Sequence, residues 1–286
     1  MAIQTIGVLG AGAMGGGIAH VAAMKGFNVI ICDIEQRFVD GAIERAAKFM
    51  DKSIAKGKMT VEEKEAVLGR MKTTTSQEDF ASVDFVVEAI IENLKIKTEA
   101  FANLDRICRP DVILATNSSS MSVTQIAAAT KRPDKVIGMH FFNPAQIMRL
   151  VEIIKGYSTS DETLEIVKQL GIDLGKSPIV SKKDTPGFIV NRLLFAQFLE
   201  ALQMVEEGVA TPQDIDTGVK LGLNYPMGPF EMMDNIGGID LTIAVMDYFY
   251  EETKDKRWAA PHAIKSLARA GRLGRKVGAG FYDYEK

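Results

Sequence analysis

Cysteine, histidine and tryptophan are scarce in this chain of 286 residues, with two, three and one copies. Cys32 and Cys108 lie far apart, and neither belongs to a C-x-x-C pair. That excludes a disulfide framework, a cysteine-based metal centre and a dithiol redox site, and it suits a reducing cytoplasm. Long apolar runs are missing too. Glycines at 7, 10, 12, 15, 16 and 17 interrupt the first apolar stretch, which has no basic leader. It therefore reads neither as a signal peptide nor as a membrane span, and no later segment has the length to cross a bilayer. Charge of one sign is barely in excess: 34 Lys and Arg against 37 Asp and Glu give a net charge of -3. Such a chain offers no basic field to nucleic acid, so a phosphate-bearing partner has to be held by local backbone dipoles or a few lysines. What remains is a soluble folded protein, 47% hydrophobic and 25% charged, whose length favours two domains.

The most informative stretch is QTIGVLGAGAMGGGIAHVAAMKGFNVIICDIE. It predicts a strand over Thr5 to Leu9, a small-residue helix, and a second strand from Asn28 to Cys32 that ends at Asp33, together one βαβ unit. The pattern Gly10-x-Gly12-x-x-Gly15 falls between strand and helix. Gly10 permits the tight turn, Gly12 lets backbone approach a pyrophosphate, and Gly15 lets the helix pack close to the strand. Ala13 and Met14 open the helix, whose N-terminus offers free N–H groups and positive dipole to phosphates. Asp33 would accept hydrogen bonds from the adenosine ribose and repel a 2′-phosphate, so the expected cofactor is NAD. Arg37 complicates that preference, because an arginine near the ribose tolerates a 2′-phosphate.

Further strands are expected at Asp84 to Glu88, Val112 to Ala115, Val136 to Met139 and Leu150 to Ile154. Helical stretches separate the first three, which argues a parallel, doubly wound sheet. Only HFFNPAQIMR lies between the last two, too short for a helical crossover, so that pair is expected to be antiparallel. From about residue 185 helical patterning takes over; Asp184 or Thr185 can cap a long helix with Pro186 in its first turn. The predicted class is α/β: a mostly parallel sheet domain over 1–184, followed by an all-helical domain over 185–286.

An alcohol dehydrogenase using nicotinamide needs a base for the hydroxyl proton. His140 stands between an apolar strand and the Asn143-Pro144 turn, with Glu152 twelve residues further on. Chain reversal at the turn would bring the two within reach, and a carboxylate on one ring nitrogen would fix the tautomer of the other. His20 in the first helix and His262 behind Trp258 read as structural. Asn117 and Ser118 to Ser120 follow a strand at the expected ligand edge; any of the three serines could hold a substrate oxygen or merely complete a turn. Asn191, in the second turn of the long helix between Phe188 and Phe195, lies on an apolar stripe and needs a partner from protein or substrate. Lys52 and Lys56, four apart on one helix and followed by Lys58, read either as a solvated face or as a site for a phosphate on a substrate tail.

In order and over essentially the whole chain, GAGAMGGGIA, NSSSMSVTQIA, GMHFFNP, LVEII, DTPGFIVNR and GRKVGAGFYDY resemble the 3-hydroxyacyl-CoA dehydrogenase family. The likeness is strongest to compact bacterial members acting on 3-hydroxybutyryl-CoA, because no hydratase domain is attached. It implies a Rossmann-type NAD domain followed by a helical domain that dimerises and closes over the cleft. It also implies that His140 is the base paired with Glu152, that Ser119 binds the substrate hydroxyl or carbonyl, and that Asn191 assists. Asn143 would contact nicotinamide or its ribose, Glu92 and Lys97 would line the NAD site, and Lys56, with Lys52, would reach the CoA phosphate. The implied reaction is reversible oxidation of a (3S)-3-hydroxyacyl-CoA. Two alternatives stand beside it: a related dehydrogenase of a free hydroxy or sugar acid, and a non-catalytic NAD-binding protein of the crystallin kind.

Overall fold

Strands buried on both faces read as continuous apolar runs, and those buried on one face alternate; this decides which segments of the chain build the middle of the sheet. The computed structural model describes residues 3–285, in two units, one ending at Thr185 and the other beginning at Pro186. The first unit opens with β1 (Thr5–Leu9), α1 (Ala13–Met24), β2 (Asn28–Cys32), α2 (Gln36–Ile54), α3 (Val61–Gly69) and β3 (Met71–Thr74). It continues with β4 (Phe85–Glu88), α4 (Leu94–Ile107), β5 (Ile113–Thr116), α5 (Val123–Ala127) and β6 (Val136–Phe141). It closes with β7 (Leu150–Lys155), α6 (Asp161–Asp173) and β8 (Ser177–Ser181).

All eight strands form one sheet in the order β3-β2-β1-β4-β5-β6-β7-β8. Every pairing is parallel except that of β6 with β7. Every residue of β4, β5 and β6 is buried. The order reverses between β1 and β4, which makes the crevice beyond their C-terminal ends the place where such sheets receive ligands. α2 shows how a covering helix is specified: its buried residues are Val39, Ala42, Ala46 and Met50, one stripe at helical spacing.

The antiparallel pair is found as expected, and it runs further than the sequence suggested. β6 continues through His140 and Phe141, so His140 is a strand residue with Glu152 directly opposite it. One strand escapes the sequence reading: β3, four residues of half-polar chain. β8 is an edge strand carrying Pro178, whose missing N–H is tolerated there.

The second unit consists of α7 (Val190–Glu206), α8 (Pro212–Gly222), α9 (Pro229–Asn235), α10 (Ile239–Thr253) and α11 (His262–Arg269). Its core gathers Phe198, Leu202, Phe230, Met233, Met246, Phe249 and Trp258. The expected start of the long helix is wrong. α7 begins at Val190, because Gly187 and Phe188 take positive φ values of 75° and 48° and interrupt any helix begun at Pro186. Asp184 does not cap it either; its carboxylate accepts the Ser122 hydroxyl and the Thr124 N–H, both at 2.7 Å, at the start of α5.

Candidate active site

The turn after β1 is built so that backbone alone faces outward. Gly10 has φ 103°, and a side chain there would strike the Ala89 carbonyl; a Cβ on Gly15 would lie 1.9 Å from the Gly10 carbonyl oxygen. A Cβ on Gly12 would meet nothing within 4 Å, so the space before the helix is open. Gly12 is the N-cap of α1, which has no acidic residue in its first turn, and Ala13 and Met14 follow it. The positive helix end therefore faces that space without competition. Asp33 joins the turn to β2: its Oδ2 accepts the Ala11 N–H at 2.6 Å and its Oδ1 the Ile34 N–H at 2.7 Å. Two hydrogen bonds leave a carboxylate further lone pairs for ribose hydroxyls. Arg37, the complicating arginine, is exposed and paired with Glu35 at 2.7 Å.

Three strands away, His140 Nδ1 lies 2.8 Å from Glu152 Oε2, with the two side chains 7% and 0% exposed. A carboxylate only accepts, so Nδ1 carries the proton in that contact and the neutral ring keeps its lone pair on Nε2. The imidazole packs against Phe142, ring centroids 4.6 Å apart. Asn117, just past β5, accepts the Phe141 N–H at 2.9 Å and so ties the serine loop to the end of β6.

That loop is gripped by Glu92. Its Oε1 accepts the Ser118 hydroxyl and the Ser119 N–H, both at 2.8 Å, and the Ser119 hydroxyl at 3.3 Å. Its Oε2 faces Lys97 Nζ at 3.0 Å. Burial pushes the Glu92 carboxyl upward, but the Lys97 ammonium and the serine hydrogen bonds outweigh it and hold the group below the usual carboxylate range. Lys97 is itself 1% exposed and pairs with Glu88 at 2.6 Å.

The structure thus brings His140 with Glu152, Ser119 with Glu92 and Lys97, and Gly10 to Gly15 with Asp33, each group at a C-terminal strand end except Glu152, which enters on β7. Asn143 is exposed at a cis peptide bond to Pro144. Asn191 belongs to the second unit, in the first turn of α7 rather than the second, and is half-buried; Phe188 lies outside the helix, while buried Phe195 stands four residues on within it, so only that half of the expected stripe is present. Lys52 and Lys56 do not share a helix face, because α2 ends at Ile54 and Lys56 follows in the turn; both are exposed. His20 is fully buried with no hydrogen-bond partner at either nitrogen, and burial lowers its pKa to about 4, so it packs as a neutral ring. His262 is exposed at the start of α11, beside Ser266 at 3.2 Å.

Comparison with known proteins decides the family. The family model described as 3-hydroxyacyl-CoA dehydrogenase, NAD binding domain, matches residues 5–185, and that of the C-terminal domain matches residues 187–284. The chain belongs to the 3-hydroxyacyl-CoA dehydrogenase family. A Deinococcus radiodurans relative named "Probable 3-hydroxybutyryl-CoA dehydrogenase" is 48% identical over 97% of this chain and 99% of its own. The 3-hydroxybutyryl-CoA dehydrogenase of Clostridioides difficile is 42% identical over 98% and 99%. The solved (S)-3-hydroxybutyryl-CoA dehydrogenase of Ralstonia eutropha superposes with a TM-score of 0.96 at 43% identity, covering 100% of both chains.

For a 3-hydroxyacyl-CoA dehydrogenase the turn fits NAD: the open face at Gly12, the uncapped helix end and the Asp33 carboxylate are what a dinucleotide asks of a chain. Sequence reasoning missed Glu88, Thr116 and the structural duty of Ser118. A signal existed, since Glu88 is the one ionisable residue ending a strand otherwise wholly apolar, FVVE, in the middle of the sheet. Among the described residues no group of side chains could hold a metal ion, and no helix is long and apolar enough to cross a membrane.

Proposed function

We propose that this chain catalyses the reversible, NAD-linked oxidation of a short-chain (3S)-3-hydroxyacyl-CoA, such as 3-hydroxybutyryl-CoA, to the 3-oxoacyl-CoA. The observation that carries the reading is the buried His140–Glu152 pair at 2.8 Å, on the strand end beside the serine loop. Bound NAD supplies the acceptor for the hydride that leaves C3. His140 Nε2 takes the proton from the 3-hydroxyl, and Glu152, fixed on Nδ1, stabilises the imidazolium as it forms. In the reductive direction the same ring returns that proton. Ser119 holds the substrate oxygen and Asn191 assists in placing the thioester.

Gly10, Gly12, Ala13, Met14 and Gly15 cradle the pyrophosphate, and Asp33 takes the adenosine ribose. Glu92, backed by Lys97, and Asn143 line the nicotinamide end. Lys52 and Lys56, exposed near the end of α2, meet the CoA phosphate as flexible point charges. The helical unit, with Leu193, Leu221 and Leu223 exposed on its surface, makes a homodimer, and two buried unpaired cysteines suit a cytoplasmic protein. Neither nucleic acid nor membrane is a partner.

The test is reduction of acetoacetyl-CoA by NADH. His140→Gln should lower turnover by about a thousandfold, within the range for loss of a general acid–base, while NADH binds almost as before. Near-normal turnover in that variant removes His140 from the reaction. Equal rates on free acetoacetate would overturn the acyl-CoA assignment, and equal rates with NADPH would overturn the NAD preference.

A further inference from the structure

Glu88 has no part in the reaction outlined above, yet it is fully buried at the C-terminal end of β4. Its Oε1 accepts the Ile90 N–H at 2.8 Å and Lys97 Nζ at 2.6 Å; its Oε2 accepts the Thr116 hydroxyl at 2.7 Å. Thr116 Oγ1 in turn accepts the Ser118 N–H at 3.1 Å. The Ser118 hydroxyl donates to Glu92 Oε1 at 2.8 Å, and Glu92 Oε2 returns to Lys97 at 3.0 Å. The contacts therefore close into a ring, from Glu88 through Lys97, Glu92, Ser118 and Thr116 back to Glu88. Two carboxylates share one ammonium inside it.

Stability alone does not account for this arrangement. The desolvation of a buried ion pair largely offsets its attraction, and well-packed apolar residues commonly do as well. Lys97 is also the fourth residue of α4, near the helix end where the macrodipole disfavours a cation. What the ring does achieve is immobility of Glu92, whose own side chain is 40% exposed. Held by Lys97 on one oxygen, Glu92 keeps the other on the Ser119 N–H at 2.8 Å and on the Ser119 hydroxyl at 3.3 Å.

We propose that Glu88 is a positioning residue for Ser119, acting through Lys97 and Glu92 on one side and through Thr116 and the serine loop on the other. This rests on the role given above to Ser119 as holder of the substrate oxygen. Glu88 fixes the direction in which that hydroxyl points and touches no substrate itself.

A double-mutant cycle tests it. Ser119→Ala should lower kcat/KM for acetoacetyl-CoA about a hundredfold, the scale of losing one positioned hydrogen-bonding group at the reacting oxygen. Glu88→Gln keeps the shape and removes one of the two charges that balance Lys97; it should cost about tenfold, and the double variant should be no worse than Ser119→Ala, because both changes act through one contact. Losses that multiply would overturn the proposal. A second readout needs no turnover: the amide hydrogen exchange of Ser119. It should quicken at least about tenfold in Glu88→Gln, while the Phe141 amide, held by Asn117, stays protected. Unchanged protection of Ser119 would overturn the proposal; a wild-type protein inactive on every acyl-CoA would overturn the proposed reaction and leave the exchange result to judge Glu88. Should Glu88→Gln fail to fold, Glu88→Gln with Lys97→Met removes both charges together. Ser119 must exchange faster there as well, and retained protection would equally refute the role.

Discussion

Replacing Glu152 by glutamine is the sharpest perturbation the structure offers, because it changes one oxygen for a nitrogen in a fully buried side chain. The 2.8 Å contact from Glu152 Oε2 to His140 Nδ1 then loses its charge. Two unit charges with centres about 4 Å apart, at an effective dielectric of about 20, attract by about 4 kcal/mol. That is the stabilisation withdrawn from an imidazolium formed in the transition state, and it corresponds to about a thousandfold in rate. A second effect works in the same direction. A glutamine amide can donate to Nδ1, which would move the ring proton to Nε2 and leave the base without its lone pair. The assay is steady-state reduction of acetoacetyl-CoA with NADH, together with a fluorescence titration of NADH. The expected result is kcat about a thousandfold lower, with NADH affinity little changed because the Gly10–Gly15 turn is untouched. A loss of less than about tenfold would show that the carboxylate does no more than pack, and the chemistry assigned to the pair would fail with it.

Gly12 and Gly15 separate room for cofactor from room for the fold: Gly12→Ala should leave the melting temperature unchanged and weaken NADH binding at least about tenfold, whereas Gly15→Ala, whose Cβ meets the Gly10 carbonyl at 1.9 Å, should lose both stability and binding. Thermal melts with and without NADH distinguish them. His20, held neutral by burial with a pKa of about 4 against an ordinary value of 6.5, ties stability to pH. The unfolded chain takes up a proton below 6.5 and the native ring does not until about 4, so stability is intact above that window and falls as pH drops through it, by about 2 kcal/mol at pH 5. Urea titrations at pH 7 and pH 5 should show this slope reduced in His20→Phe, and an unaltered slope would refute the cause. Asp234 accepts the Phe281 and Tyr282 N–H groups at 3.0 Å and the Tyr284 hydroxyl at 2.9 Å, pinning the C-terminal segment. Asp234→Ala should cost about 2–4 kcal/mol and open that segment to limited proteolysis; a resistant variant would contradict it.

The parts of this molecule legible in its sequence are those fixed by local chemistry. β1, the Gly10–Gly15 turn, α1 and β2 are specified within one short stretch, and strand and turn chemistry there admit few other arrangements. The β6–β7 reversal was legible for a similar reason, since the connection is too short for a crossover. What was hidden depends on partners distant in sequence. Glu88 looks like the last residue of an apolar strand until Lys97 and Thr116 are seen around it. Asp184 looks like a cap for the helix that follows, but its oxygens serve Ser122 and Thr124, some sixty residues earlier. The start of α7 was misread because Phe188 at φ 48° is a conformation that no side-chain propensity announces.

The single antiparallel pairing in the sheet has a chemical consequence. In parallel strands, residues paired side by side are separated by a whole crossover, usually containing a helix, so a base and its carboxylate would come from remote segments. Inverting β7 against β6 lets His140 and Glu152, twelve residues apart, face each other across one ladder, with register set by the Ile137–Lys155 through Phe141–Val151 pairs. Their separation is then fixed by strand spacing and not by a loop. Ser119, the proposed holder of the substrate oxygen, sits instead on the loop after β5, where orientation has to be imposed from outside, by Glu92 and the ring behind it. In the proposed reaction, rigid strands would carry the proton chemistry, whose geometry tolerates little error, and a braced loop the oxygen-binding group. A one-residue slip of β7 against β6 would therefore turn Glu152 to the opposite face of the sheet and leave His140 without its carboxylate, even with every cofactor contact preserved.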